Sequence, residues 1–246
     1  MSETQTTNDN LVLVGGKSAT GKSVSLMGLK DPEGVVLANC ESGKKLPFKS
    51  KFQEFVITDP LQVIELFDWL ELPEQAKVHT VVIDTLTYLL DMYISLYVAP
   101  LADGRAAWGN FSQYFKNLMQ QKVAACSKNV IFLAHTVDSV NETEMVMETK
   151  VPVQGSLKNN GIESFFSCVL SAKKMTIKSL KEFDNPMLVI TEEEQALGYK
   201  HVFQTRLTKE TKDERLRGPM GMWSVQETYI DNNMQHVLDR LHQYYN

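Results

Sequence analysis

Apolar residues fall along this chain in short continuous runs separated by amphipathic stretches, the pattern of strands buried on both faces alternating with helices. Leu11-Val12-Leu13-Val14, Val35 to Ala38, Val78 to Asp84 and Val130 to Ala134 are the clearest runs, mostly β-branched and too short for globular helices. Phe52 to Ile57, Phe165 to Ala172, Met187 to Ile190 and His201 to Leu207 extend the set of expected strands. Between them Leu61, Ile64, Leu66, Phe67, Trp69 and Leu70 recur at three- and four-residue spacings, with Asp59 as N-cap and Pro60 in the first turn. That spacing predicts a helix, closed by Glu71-Leu72-Pro73-Glu74. Leu86, Leu89, Leu90, Tyr93, Ile94 and Tyr97 place a second over Thr85 to Val98, apolar around much of its circumference and so covered by the core or by a partner subunit. Pro100 to Gly109 reads as a loop, and Phe111, Tyr114, Phe115, Leu118, Met119, Val123 and Cys126 as one face of a third helix. Met234, Val237, Leu238, Leu241 and Tyr245 give a short amphipathic helix at the end. Asp138 to Gly155 has no clear period and reads as a long functional or mobile connection. An acidic turn is expected between Ile190 and Gly198. The alternation predicts an α/β protein with a mainly parallel sheet flanked by helices.

Composition narrows the class. The 246 residues suffice for one sizeable core and show no repeat or low-complexity segment, so residues 11–246 are expected to form one domain behind a flexible tail of residues 1–10. That tail lacks the basic start and apolar segment of a secretion signal, and no run approaches the length that spans a bilayer. A cytoplasmic protein without membrane contact is expected. Cys40, Cys126 and Cys168 are far apart, which argues against a zinc site or disulfide framework and for small buried residues. The net charge of −5 supplies no global field for nucleic acid, so any such binding must come from local basic groups.

The first strand leads into Gly16-Lys17-Ser18-Ala19-Thr20-Gly21-Lys22-Ser23, which satisfies G-x-x-x-x-G-K-[ST]. The pattern is demanding, and its place between a buried strand and a helix running toward Lys30-Asp31-Pro32 makes it a phosphate-binding loop. Gly16 and Gly21 let the backbone approach an anion; Lys22 reaches the β- and γ-phosphates of ATP; the Ser23 hydroxyl ligates Mg²⁺. Asp84, ending an apolar strand some 60 residues downstream, fits the carboxylate that holds the same Mg²⁺ through water. His135 ends the Val130 to Ala134 run and reads equally as a structural histidine or as a group that feels the γ-phosphate. Lys173, Lys174, Lys178 and Lys181 read as a solvated basic face.

Taken in order, the phosphate loop, Asn39-Cys40-Glu41, Val81-Val82-Ile83-Asp84-Thr85, Val130-Ile131-Phe132-Leu133-Ala134-His135, Gly155-Ser156-Leu157-Lys158 and Gln204-Thr205-Arg206 resemble the RecA-type ATPase core. The similarity is greatest to the compact phage RecA-like recombination ATPases of the Sak group, also described as AAA-family nucleotide-binding proteins, and covers about residues 11 to 225. It implies that the Val130 to Ala134 strand lies between the phosphate-loop strand and the Asp84 strand. It implies that Glu41 orients and activates the attacking water, the other reading of Glu41 being a turn or cap carboxylate. By the same resemblance His135 couples the γ-phosphate to a DNA-binding loop at Asp138 to Gly155. Arg206, or else Lys209, Lys212, Arg215 or Arg217, reaches into a neighbouring subunit's nucleotide. Glu142, Glu144 and Glu148 depart from the electropositive lining such a loop favours.

The expectation is therefore an ATP-binding, ATP-hydrolysing RecA-like protein acting on single-stranded DNA in recombination or annealing. It would assemble as a homo-oligomeric ring or filament, with a single-strand-binding or replication protein as a further partner. The alternatives are a nucleotide-gated accessory protein of replication or packaging, and a small-molecule phosphotransferase, for which Arg215 and Arg217 are the one close arginine pair.

Overall fold

The computed structural model describes residues 8–141 and 145–246. Its centre is an eight-stranded sheet in the order β10-β9-β8-β1-β5-β4-β2-β3. The strands are β1 Leu11–Gly16, β2 Val35–Asn39, β3 Gln53–Val56, β4 Thr80–Asp84, β5 Asn129–His135, β8 Cys168–Thr176, β9 Tyr199–Gln204 and β10 Tyr229–Asp231. From β8 across to β3 all neighbours are parallel, whereas β9 and β10 fold back antiparallel as a wing on β8. β5 pairs with β1 on one side and β4 on the other, the placement expected for it.

The continuous apolar runs are explained by burial on both faces. Along β1, Leu11 and Leu13 face one core and Val12 and Val14 the other; β5 divides likewise, with Val130, Phe132 and Ala134 opposed to Ile131 and Leu133. Three helices cover the first face: α1 Leu61–Leu70, α2 Leu86–Tyr93 and α3 Gly104–Asn117. α2 and α3 run on into π-helical turns at Ile94–Val98 and Leu118–Val123. The N-cap of α1 is Pro60, one residue later than expected, and Asp59 before it accepts the Leu61 N–H at 2.8 Å. Two one-turn helices, α4 Leu157–Asn160 and α5 Ile177–Leu180, flank β8 in sequence. Helix α6, Glu192–Leu197, precedes β9, and the C-terminal α7, Met234–Tyr245, covers the second face with Met234, Val237, Leu238 and Leu241.

Several local expectations are corrected. The segment after the phosphate loop is a six-residue 3-10 helix, Ser23–Gly28, and not a helix reaching Asp31. Ser25 Oγ donates to the Lys22 carbonyl at 2.6 Å, a local bond that competes with α-helical pairing, and Leu29 turns extended into the core. The expected loop at Pro100 to Gly109 is helical from Gly104, because Asp103 caps the Arg105 N–H at 3.1 Å and Arg105-Ala106-Ala107 are good helix formers. Asp138 to Gly155 contains an antiparallel hairpin, β6 Val137–Asn141 with β7 Val146–Lys150, in which Val140 faces Met147. None of its strand residues is buried, so no buried face imposed an alternation on the sequence. Met187 to Ile190 is no strand: Pro186 removes a ladder donor, and the segment is tied to β10 by Asp231 N–H to the Met187 carbonyl (2.7 Å). The acidic turn is α6, opened by a capping box between Thr191 and Glu194. Lys174 lies over the Tyr199 ring at 3.9 Å and Lys173 is paired with Glu214, so this part of the basic face is engaged. Asn8, expected in the flexible tail, is buried, its amide donating to the carbonyls of Cys126 (3.1 Å) and Lys128 (3.0 Å). Residues 1–7 of that tail, and Glu142 and Glu144, lie outside the described residues. All three cysteines are buried and free. Among the described residues no helix is long and apolar enough to cross a membrane.

Candidate functional site

Parallel strands end together, and the C-terminal ends of β1, β5, β4 and β2 bring Gly16, His135, Asp84 and Asn39 to one edge of the sheet. Above that edge opens a cleft of about 290 Å³ lined by Ser18, Ala19, Gly21, Lys22, Ser23, Glu41, Lys44, Asp84, His135 and His201. The loop is held open by its own backbone. Ala19 and Gly21 have φ of 61° and 95°, the alternation that turns successive N–H groups toward a common centre. Gly16 has no room for a side chain, since a Cβ there would come within 2.6 Å of Thr20 Oγ1 and 2.9 Å of the Ala172 carbonyl.

Lys22 Nζ is folded back on its own loop, donating to the carbonyls of Gly16 and Lys17, both at 2.9 Å. Burial lowers its pKa to about 8, which an arriving phosphate would reverse. Lys17 points away from the cleft to Asp138 at the base of the hairpin (2.5 Å), and Thr20 Oγ1 caps the Lys17 carbonyl at 2.9 Å.

Ser23 Oγ donates to Asp84 Oδ2 at 3.1 Å, and Asp84 Oδ1 is buried with no hydrogen-bond partner. Burial, reinforced by the negative charge of Glu41, pushes the Asp84 carboxyl up to about 6. A buried carboxylate oxygen left unpaired beside a hydroxyl is what Mg²⁺ chemistry requires of the protein, the remaining ligands being water and phosphate. Among the described residues no group of three or more His, Cys, Asp or Glu forms an all-protein cage. The residues present fit Mg²⁺.

Glu41 follows β2 in a turn fixed by its own N–H to Asn39 Oδ1 (3.0 Å). Its carboxylate takes Lys44 Nζ at 2.8 Å on one oxygen and His135 Nε2 at 3.3 Å on the other. Burial alone would raise its pKa, but these two partners outweigh burial and hold it below the ordinary glutamate value. His135 Nδ1 lies 3.4 Å from Lys22 Nζ. Since an ammonium only donates, Nδ1 accepts and Nε2 carries the proton toward Glu41. Burial, with the Lys22 charge, lowers the His135 pKa and favours this neutral form. The result is a continuous line from Lys22 through His135 to Glu41 and Lys44. The His135 N–H is anchored on Thr87 Oγ1 (3.2 Å), and Tyr88 stands edge-on to its ring at 5.8 Å.

The structure thus brings Gly16 to Ser23, Glu41, Asp84 and His135 together, but not Arg206. That residue lies beyond the end of β9, not within the strand, and on the side away from the loop, because β9 runs antiparallel. It is exposed, with Nη1 donating to the Trp223 carbonyl at 2.8 Å. Of the other candidates, Lys209 and Lys212 are exposed, Arg215 is paired with Glu148 (3.3 Å) and Glu163 (3.5 Å), and Arg217 donates to the Ser164 carbonyl (3.3 Å). Among the cleft residues that escaped the sequence are Lys44, for which the Glu41-x-x-Lys44 spacing is the available signal, and His201, which reaches the loop from β9 and has none.

A family model described as AAA domain matches residues 8–212. Comparison with curated proteins finds no match. Among solved structures, the crystal structure of the RadB recombinase aligns with a TM-score of 0.41 at 18% identity, over 69% of this chain and 76% of that one.

Proposed function

The chain belongs to the AAA-domain family, and we propose that it binds ATP with Mg²⁺ and hydrolyses it as a RecA-like ATPase acting on single-stranded DNA in recombination or annealing of the phage Sak type. The observation that carries the nucleotide part is the meeting of Ser23 and Asp84 over a glycine-bounded loop, with Asp84 Oδ1 buried and unpaired.

In this reading the loop N–H groups and Lys22 bind the phosphates, and Ser23 and Asp84 hold the Mg²⁺, which neutralises phosphate charge when bound. Glu41, kept ionised by Lys44 and His135, orients a water and accepts its proton. His135 touches both Lys22 and Glu41, so a change at the phosphate end reaches the water end through one ring. The strand ending at His135 leads directly into the β6–β7 hairpin, which we assign to the DNA. Arg206 is too far round the sheet to serve its own cleft and acts, in our proposal, on the nucleotide of a neighbouring copy in a ring or filament.

The test is ATP hydrolysis with and without single-stranded DNA for wild type, Lys22→Ala and Glu41→Gln. Turnover stimulated by DNA and lost in both variants is expected; wild-type hydrolysis indifferent to DNA would sink the recombination reading. Mixing Arg206→Ala with Lys22→Ala, each inactive alone, should restore partial turnover, and no recovery at any ratio would exclude a finger in trans.

A second reading draws on the hairpin's surface. Val140 and Met147, paired across the strands, and Met145 beside them are exposed, which suits a protein partner better than phosphodiester. A nucleotide-gated accessory protein would lose partner binding in Lys22→Ala and keep it in Glu41→Gln.

A further inference from the structure

We infer that His201 and Asn232, both on the antiparallel wing, are positioning residues that aim the phosphate loop; the inference rests on the ATP-binding reading above. His201 Nδ1 lies 3.0 Å from the Thr20 carbonyl, and Asn232 Nδ2 donates to the Gly21 carbonyl at 2.8 Å. A carbonyl only accepts, so His201 carries its proton on Nδ1 and donates. Two successive loop carbonyls are thus tied to the wing by donors 181 and 211 residues away in sequence, the Gly21 carbonyl also accepting the Ser25 N–H at 3.0 Å.

The consequence follows from peptide planarity. In a trans peptide the C=O and the next N–H point in opposite directions. Among the described residues the single cis peptide is Asp84-Thr85, so the units after Thr20 and Gly21 are trans. Holding the Thr20 and Gly21 carbonyls against the wing turns the N–H groups of Gly21 and Lys22 away from it and into the cleft. Donors fixed before the ligand arrives need no reorganisation when it binds.

The wing is built to hold these two groups still. Lys200, next to His201, is buried and paired with Glu194 (2.7 Å) and Asp231 (3.2 Å). Asn233, next to Asn232, caps α7 by accepting the Gln235 N–H at 3.0 Å. Gly21 completes the fit. A Cβ there would come within 2.7 Å of Asn232 Nδ2 and 3.3 Å of His201 Nδ1, so the glycine admits the pinning groups as well as its φ of 95°. The 3-10 segment after the loop is only six residues long, so alignment from outside has more to do here than it would before a long helix.

The test measures binding of Mg²⁺-ATP and of inorganic tripolyphosphate, which has phosphates but neither sugar nor base. The proteins are wild type, His201→Ala, His201→Asn and Asn232→Asp, each with its melting temperature. Loss of one neutral hydrogen bond should weaken both ligands by the same factor, about threefold to tenfold in His201→Ala, without a fall in melting temperature that tracks it. His201→Asn returns an N–H near the Nδ1 position and should recover most of the affinity. Asn232→Asp sets a carboxylate against the Gly21 carbonyl and should lose at least as much. KM should rise more than kcat falls. Weakening confined to ATP would mean that His201 touches the nucleoside, and would overturn the inference. So would wild-type affinity in His201→Ala and Asn232→Asp. Wild type that binds neither ligand would overturn the ATP reading, and this inference with it.

Discussion

Glu41→Gln separates binding from chemistry. The substitution keeps the shape and removes the charge and the proton acceptor. Glu41 is 11% exposed at its side chain, with Lys44 Nζ at 2.8 Å and His135 Nε2 at 3.3 Å, so its hydrogen-bonding partners are not the loop groups that we assign to the phosphates. A positioned general base contributes about 10²–10⁴ in rate, or roughly 2.7–5.4 kcal/mol of barrier. Turnover should fall by that factor, while ATP affinity stays within about threefold of wild type. Stability should change little, by less than about 1 kcal/mol, because Lys44 is largely exposed and stays hydrated without its partner. Phosphate release in single turnover, beside direct ATP binding, reads both quantities. A variant that binds ATP normally and hydrolyses it within tenfold of the wild-type rate would refute the assignment. The pH profile gives a second reading. A base works when deprotonated, so activity rises with pH through its pKa, and the depressed pKa puts that limb below the ordinary glutamate range. Lys44→Met removes the larger of the two downward pulls and leaves burial in place, so the limb should move up.

Asp84→Asn should abolish the tightening of ATP binding by Mg²⁺, and without ligands it should be more stable than wild type at pH 8. The carboxyl is raised from 3.8 to about 6, a shift worth at most about 3 kcal/mol. The folded wild type binds a proton more readily than the unfolded chain, so its stability recovers as pH falls from about 6 toward 3.8 and the gap between variants closes; a gap that widens on acidification would show the sign to be wrong. Phe132→Ala deletes a fully buried ring packed edge-on to Phe166 at 5.4 Å. It should cost about 3–5 kcal/mol and lower the melting temperature by roughly 6–20 °C, and a fall under 2 °C would mean the site collapses freely. Burial pushes the Cys126 and Cys168 thiols up to about 12 and raises Cys40 as well, so native protein should not react with thiol reagents at pH 8, and all three should react in denaturant. Labelling in the native state would contradict this core.

Contacts within a few residues were legible and contacts across the sheet were not. The phosphate loop and Asp84 could be read because each is local: strand, turn and polar residue follow one another in the chain. β5 could be placed between β1 and β4 only through resemblance, since register is not written in one strand. The capping box opening α6 and the Asp103 cap of α3 are local too, and their signals lie in the sequence although the apolar pattern there reads as a turn and a loop. The β6–β7 hairpin is a different case. Its strands face solvent, so no burial selects an alternating pattern, and pairing with the other half defines it.

The order of residues along the chain already dictates the chemistry of one end of the sheet: runs buried on both faces must become central strands, and a G-x-x-x-x-G-K-S turn after the first of them must expose backbone N–H groups. Which distant groups act on that turn is set by how the strands pack. Lys22, His135, Glu41 and Lys44 form a line because the four parallel strands β1, β5, β4 and β2 end side by side. His201 reaches the loop from near the start of β9, which runs back antiparallel, and Asn232 from just past the end of β10, which reverses again; the first reversal carries Arg206 away from the loop. Sequence periodicity reports how much of a residue is buried; it carries no record of which strand lies next to which, and those adjacencies set the direction of every donor in the cleft.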